Sequence, residues 1–253
     1  MNIVTFLSLE LRRALRNRFQ ILFAVLMPAF LYMTFGATQD YKDVGIHEGN
    51  VGASIMIGMA LYGAIVASTA QAANAAVEFG HGWGRQLQLT AMRPLAYVLV
   101  KFLLCLLLAA LPVTVVFVLG AFTGAHMPAG QWIGTFLLSW LLSGVFALYG
   151  LAAGLLFNSQ AAPGIASGTL VIWAFLGNLF APLSGGMLVL GRFTPLYGIN
   201  ALARYPLTRG DVMDGSTQTT DPLGLMVLNA VAWLVVLAGL CALAFRLRAG
   251  RRA

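Results

Sequence analysis

An all-α integral membrane fold is what this 253-residue sequence predicts: six transmembrane helices, an N-terminal amphipathic interfacial helix, and short outer-leaflet helices before the sixth span. Composition is the first of three observations behind that expectation. Hydrophobic residues make up 60% of the chain and charged residues 9%, against roughly 45–50% and about 25% in soluble domains. Second, a bilayer core about 30 Å thick needs about 20 apolar residues in a helix, and apolar runs of that order lie at roughly 19–37, 51–77, 98–124, 131–157, 163–183 and 223–245. Third, the charges segregate along that alternation. With both termini inside, the inner segments hold Arg12, Arg13, Arg16, Arg18, Arg85, Arg93, Lys101, Arg246, Arg248, Arg251 and Arg252, and the outer ones hold Lys42, Arg192, Arg204 and Arg209. Such asymmetry is the positive-inside bias. The acids run the other way, with Glu10 and Glu78 inside and Asp40, Asp43, Glu48, Asp211, Asp214 and Asp221 outside.

Residues 1–18 form the first element. Val4, Leu7, Leu11 and Leu15 recur every three to four residues opposite Thr5, Ser8, Arg12 and Arg16, the pattern of a helix lying in the cytoplasmic interface. A basic topogenic leader is the alternative. Leu7, Leu11, Arg12, Arg13 and Arg16 are its candidate functional residues. The apolar run that follows begins too far in and runs too long for an ordinary cleavable signal, so it is expected to persist as the first span. A short polar outer loop from about Thr38 to Asn50 leads to the second.

Gln71, Asn74 and Glu78 share one face at the inner end of the second span, where polar groups should point at protein or water. Three glycines then allow sharp turns, and Arg85, Gln86, Leu87, Gln88 and Leu89 suit a short helix ended by Arg93 and Pro94. A surface loop anchored in the headgroups by Trp83 and Tyr97 accounts for the same spacing. Pro128 and Gly130 mark an outer turn, and Asn158, Ser159 and Gln160 an inner one before Pro163, which a helix start tolerates. Gly120/Gly124, Gly150/Gly154 and Gly164/Gly168 offer close helix approach.

Residues 184–222 are read as an extracellular or re-entrant segment. Pro182, Gly185 and Gly186 interrupt the apolar pattern, and Arg192 to Arg204 is amphipathic but too short in apolar content to span. Irregular backbone at that depth must pack on protein or face water. The segment is therefore expected to cap a pathway, with an exposed loop as the alternative. The whole chain, 1–253, reads as a single transmembrane domain.

Several chemistries are unsupported. His47, His81 and His126 fall outside the spans with no metal-ligand spacing, and no phosphate-cradling glycine loop is visible. Cys105 and Cys241 lie in apolar helices, where a thiol acts as a small apolar side chain. The basic residues are dispersed over membrane-flanking segments, which argues against nucleic acid and for contact with an anionic lipid bilayer.

Gly82-Trp83-Gly84-Arg85-Gln86-Leu87-Gln88-Leu89-Thr90, followed by Pro94, Tyr97 and Lys101, resembles the segment after the second helix in bacterial ABC-2 type permeases, the membrane subunits of ATP-binding cassette exporters. Pro195, Leu196, Tyr197 and Arg204 resemble the family's outer pattern. Gly80 stands where many relatives carry a second acidic residue. The resemblance covers essentially the whole chain and implies a permease in the bacterial cytoplasmic membrane that is not itself an enzyme. It further implies a second permease copy, identical or related, and a separate ABC ATPase that carries the ATP and Mg. Glu78, Gly82, Trp83, Arg85, Gln86, Leu87, Arg93 and Pro94 would couple the ATPase to the spans. Export of a small amphipathic or hydrophobic compound (drug, antibiotic or lipid) suits a wall of Met, Phe, Leu and Trp with a few polar groups such as Tyr62, Gln71, Asn74, Trp173 and Asn178. The same five side chains equally suit helix packing. A non-transporting sensor or assembly subunit, and an ion-exporting ABC permease, are the alternative functions.

Overall fold

The structure is a computed structural model that describes residues 3–80, 94–157, 159–212 and 219–250. In chain order the elements are α1 (Ile3–Arg16), α2 (Arg18–Tyr32, extended by a π-helical turn Met33–Ala37), the hairpin β1 (Gly45–Ile46) and β2 (Gly49–Asn50), α3 (Val51–Glu78), α4 (Pro94–Phe122), α5 (Ala129–Leu142), α6 (Val145–Phe157), α7 (Ala162–Leu176), α8 (Gly185–Gly191), α9 (Pro195–Thr208), the pair β3 (Asp211–Val212) and β4 (Thr219–Thr220), and α10 (Leu223–Gly250). Both strand pairs are antiparallel and two residues long. They trim loops and leave the fold all-α.

Helix α3 is the axle of the bundle. Its composition explains this: Gly52, Ala53, Ser54, Gly58, Ala60, Gly63, Ala64, Ala67, Ser68, Ala72, Ala73, Ala75 and Ala76 keep its surface thin, and 89% of its most apolar window is buried. Neighbouring helices can approach closely without a methyl between backbones. On α6, Gly150 and Gly154 face α3 so tightly that a Cβ at either would meet the carbonyls of Thr69 and Ala73. Thr69 Oγ1 donates to the Phe146 carbonyl at 3.2 Å across the same seam. Gly164 and Gly168 have open space instead, so of these two glycine pairs only Gly150/Gly154 works as helix packing inside the chain.

Among the described residues, five helical stretches are long and apolar enough to cross a membrane: Arg18–Ala37, Val51–Glu78, Leu95–Phe122, Ala129–Phe157 (α5 with α6) and Leu223–Leu247. The fifth of the six expected spans is a shorter apolar helix, Ala162–Leu176. Helix α7 is 15 residues, about 22 Å at 1.5 Å per residue, short of a core about 30 Å thick. Gly177 and Asn178 stop it, Asn178 turning left-handed at φ 55°. The apolar run continues through Leu179 and Phe180, but as a turn. Hydropathy counts apolar residues and is blind to that break.

Chain ends and helix ends sort into two sets. At the proximal end, α1 meets the start of α4, Phe79 and Phe245 place their rings 6.2 Å apart, and Ala76, Leu155 and Ala244 cluster. At the distal end the hairpin, the loop 123–128, the turn after α7 and the helices α8 and α9 pack over the bundle. Asn50 staples this cap. It begins α3 by accepting from Ala53 N at 3.0 Å, accepts from His126 N at 2.9 Å, and donates to the Gly124 carbonyl at 2.8 Å, the side-chain work of a helix N-cap extended to a second loop.

Candidate functional site

The proximal end concentrates charge where an apolar bundle can least ignore it. Helix α1 turns Phe6 and Glu10 inward, both buried, and leaves Leu7 and Leu11 half-buried. Val4 and Leu15, on the apolar stripe read from the sequence, are exposed, as are Arg12, Arg13 and Arg16. The stripe that packs on protein is thus rotated from the expected one. Its centre is an acid, because a cation waits opposite.

That cation is Lys101, about two turns into α4 and 7% exposed. Its Nζ donates to Glu10 Oε2 at 2.8 Å and to Glu78 Oε2 at 3.2 Å, and lies 5.6 Å from the centre of the Tyr97 ring. Glu78 also receives Arg13 at 2.8 Å. Two cations and two carboxylates therefore join α1, the last residue of α3 and the first turns of α4 into one cluster. Phe6 and Phe79 flank it, their rings 6.1 and 6.2 Å from that of Tyr97. Two buried charges, Glu10 and Lys101, are held by pairing with each other, with Glu78 as a second acceptor for Lys101.

Among the coupling residues read from the sequence, Glu78 is in this cluster and Pro94 opens α4. Gly82, Trp83, Arg85, Gln86, Leu87 and Arg93 lie outside the described residues. The five pathway residues meet different parts of the bundle, Tyr62 and Asn178 both at the turn after α7. Gln71 lines a small pocket with Gln20 and Pro112, and Asn74 Nδ2 reaches Gln20 Oε1 at 3.5 Å, both toward α2. Tyr62 is buried and packs edge-on against Phe180 at 4.8 Å, while Trp173 sits 6.4 Å from Trp233. Asn178 holds the turn after α7, its Oδ1 accepting from Leu183 N at 2.8 Å.

Two features of the distal cap had little signal in sequence. Asp221, 5% exposed, accepts a forked contact from Arg192 (2.6 and 3.2 Å) and the Tyr197 hydroxyl at 2.5 Å. Burial, then the bond to Asp221, raises the Tyr197 phenol above its ordinary range. Asn229, inside the last span, accepts from Gly198 N and donates to the Arg192 and Thr194 carbonyls, so α10 carries the cap. A lone polar residue in an apolar run was the available clue. The second feature is Arg204, whose guanidinium donates to the carbonyls of Asn178 and Leu179 at 3.2 Å each, with no carboxylate in reach among the described residues. No group of His, Cys, Asp and Glu among the described residues could hold a metal ion.

Residues 38–245 match the family profile described as "ABC-2 family transporter protein". None of the curated proteins matches the chain.

Proposed function

We propose, from the premise that this chain belongs to the ABC-2 family of transporters, that it is the permease subunit of an ATP-driven exporter. It works as a pair of permease subunits with a separate ABC ATPase in trans, in the bacterial cytoplasmic membrane, and moves a small amphipathic or hydrophobic compound outward. The proximal end is cytoplasmic in this reading, and α1 lies in that interface.

The Glu10–Lys101–Glu78–Arg13 cluster carries the proposal. Residues 81–93 connect α3 to α4 covalently, so a push delivered to that segment by an ATPase reaches Glu78 on one side and Lys101 on the other. Both are tied to α1. The cluster makes three helices respond together, and a buried ion pair has two discrete states, made or broken, as a transmission element requires. Closure of the ATPase pair on ATP then shifts the permease toward the outward-open form through differential affinity for the two states. The interior around α3 is filled by its own side chains, so a solute path needs a second surface, which a second copy supplies. Apolar groups dominate the distal walls, and among the described residues no buried acid lies at mid-span to carry a coupled ion, which favours an amphipathic cargo over an ion.

Arg85→Glu and Leu87→Asp test the coupling directly. Each places an unmatched charge where a docking contact is proposed, a loss of about 2–5 kcal/mol for a buried charged contact. Co-purification with the cassette ATPase and substrate-stimulated ATP hydrolysis should fall together with export, while Lys42→Glu at the other end stays silent. Normal export and normal ATPase affinity in both loop variants would sink the assignment.

A further inference from the structure

We propose that the distal cavity beside Arg204 is a binding site for the anionic head of an amphiphile, a carboxylate, sulfate or phosphate on a single apolar tail.

The cavity has a volume of about 580 Å³, inside the range of about 300–1,000 Å³ typical of small-molecule sites. Its floor is buried Met59 and Leu179, and its rim is exposed Phe35, Tyr41 and Pro182. Those walls suit a hydrocarbon tail. Arg204 is the cation on the wall, and none of the other residues lining this cavity is acidic; Asp211 shares a separate small pocket with Arg204 and is engaged there by His47 and Thr220.

The guanidinium is positioned by its surroundings. Gly58 leaves the room it occupies, since a Cβ there would collide with it. Nη1 and Nη2 are engaged by the Asn178 and Leu179 carbonyls, and buried Nε has no hydrogen-bond partner among the described residues. Asn200 braces the same turn, donating to the Gly177 and Asn178 carbonyls at 3.1 and 2.9 Å. Two neutral carbonyls orient a guanidinium without cancelling its charge. Burial lowers Arg204 to about 10, which still leaves it protonated at neutral pH. A cation beneath an apolar funnel, with donor capacity left over, attracts an anion more strongly than the same cation in water.

As a statement about cargo the inference rests on the export reading; as a statement about binding it stands alone, and the test needs no ATPase. Full-length chain in neutral maltoside micelles is titrated with dodecyl phosphate and with dodecylphosphocholine, which has the same tail and a zwitterionic head, and bound adducts are counted by native mass spectrometry. The anionic probe should bind at one site per chain about 10- to 100-fold more tightly, the range for a charge-assisted hydrogen bond. Arg204→Met should abolish that preference and Arg204→Lys keep most of it. Ile55→Trp, which fills the cavity from its wall and leaves Arg204 in place, should weaken both probes alike. Titration with phosphatidylglycerol separates the sources: displacement of dodecyl phosphate from the wild type identifies a membrane lipid as the natural occupant, and no displacement identifies a free amphiphile. Equal binding of the two probes to the wild type, or an undiminished preference in Arg204→Met, overturns the site and leaves the ATPase coupling reading untouched.

Discussion

Lys101→Met is the most informative single change in the proximal cluster. It removes the one ion-pair partner of Glu10 among the described residues, and both side chains are under a tenth exposed, at 8% and 7%, so solvent screening does little to soften the loss. Breaking a buried pair from one side costs about 3–5 kcal/mol, because the surviving charge is left in a medium that cannot solvate it. Replacing both partners by apolar groups is close to neutral by the same reasoning. Lys101→Met with Glu10→Leu should therefore be more stable than Lys101→Met alone. At about 2–4 °C per kcal/mol for a chain of this size, the single variant should melt roughly 6–20 °C lower, with most of that recovered in the double. The assay is fluorescence-monitored melting of four purified proteins, wild type, both singles and the double, read as a double-mutant cycle. Arg13→Ala is the internal contrast: Arg13 is 62% exposed at its side chain, and losing such a pair costs about 0–1 kcal/mol. A Lys101→Met protein that melts with the wild type, or a double variant showing the plain sum of the two singles, would refute the cluster as a buried, mutually dependent unit.

The remaining expectations concern packing, topology and the cap. Gly150→Ala should destabilise by about 1–3 kcal/mol through overpacking against the Thr69 carbonyl, whereas Gly168→Ala, with nothing within 4 Å of its added carbon, should stay within about 0.5 kcal/mol of wild type; melting temperatures compare them. Single cysteines at Lys42, Arg85 and Gln218, in a background lacking Cys105 and Cys241, should react with an impermeant thiol reagent on intact cells at 42 and 218 and not at 85, and the opposite pattern would invert the orientation. Asp221→Asn should loosen the cap by about 2–3 kcal/mol, since a hydrogen bond to a charged group is worth about 1.5–3 kcal/mol and Asp221 serves both Arg192 and Tyr197. Tyr197→Phe should cost about 1 kcal/mol, and limited proteolysis of the 191–222 segment reads both.

The sequence by itself determined the solvent this chain is built for and where most of its helices run, because a run of about 20 apolar residues is a local property that any fold must satisfy. Helix α3 begins and ends within a residue of its expected bounds for that reason. The glycines facing Thr69 and Ala73 were visible as a four-residue spacing, yet Gly164/Gly168 has the same spacing and no neighbour within 4 Å of an added Cβ among the described residues. Composition marks a helix as able to approach another; only the bundle decides which does. The tertiary structure also decided that α7 stops at Leu176, since a left-handed Asn178 interrupts helix without interrupting hydropathy. It turned α1 onto Phe6 and Glu10 by setting Lys101, 91 positions away from Glu10, against it. It likewise gave Arg204 two carbonyls and no carboxylate among the described residues. Charges in an apolar protein are legible as exceptions along the chain. Whether each is neutralised, oriented or left able to attract something depends on partners that only folding brings within 3 to 4 Å.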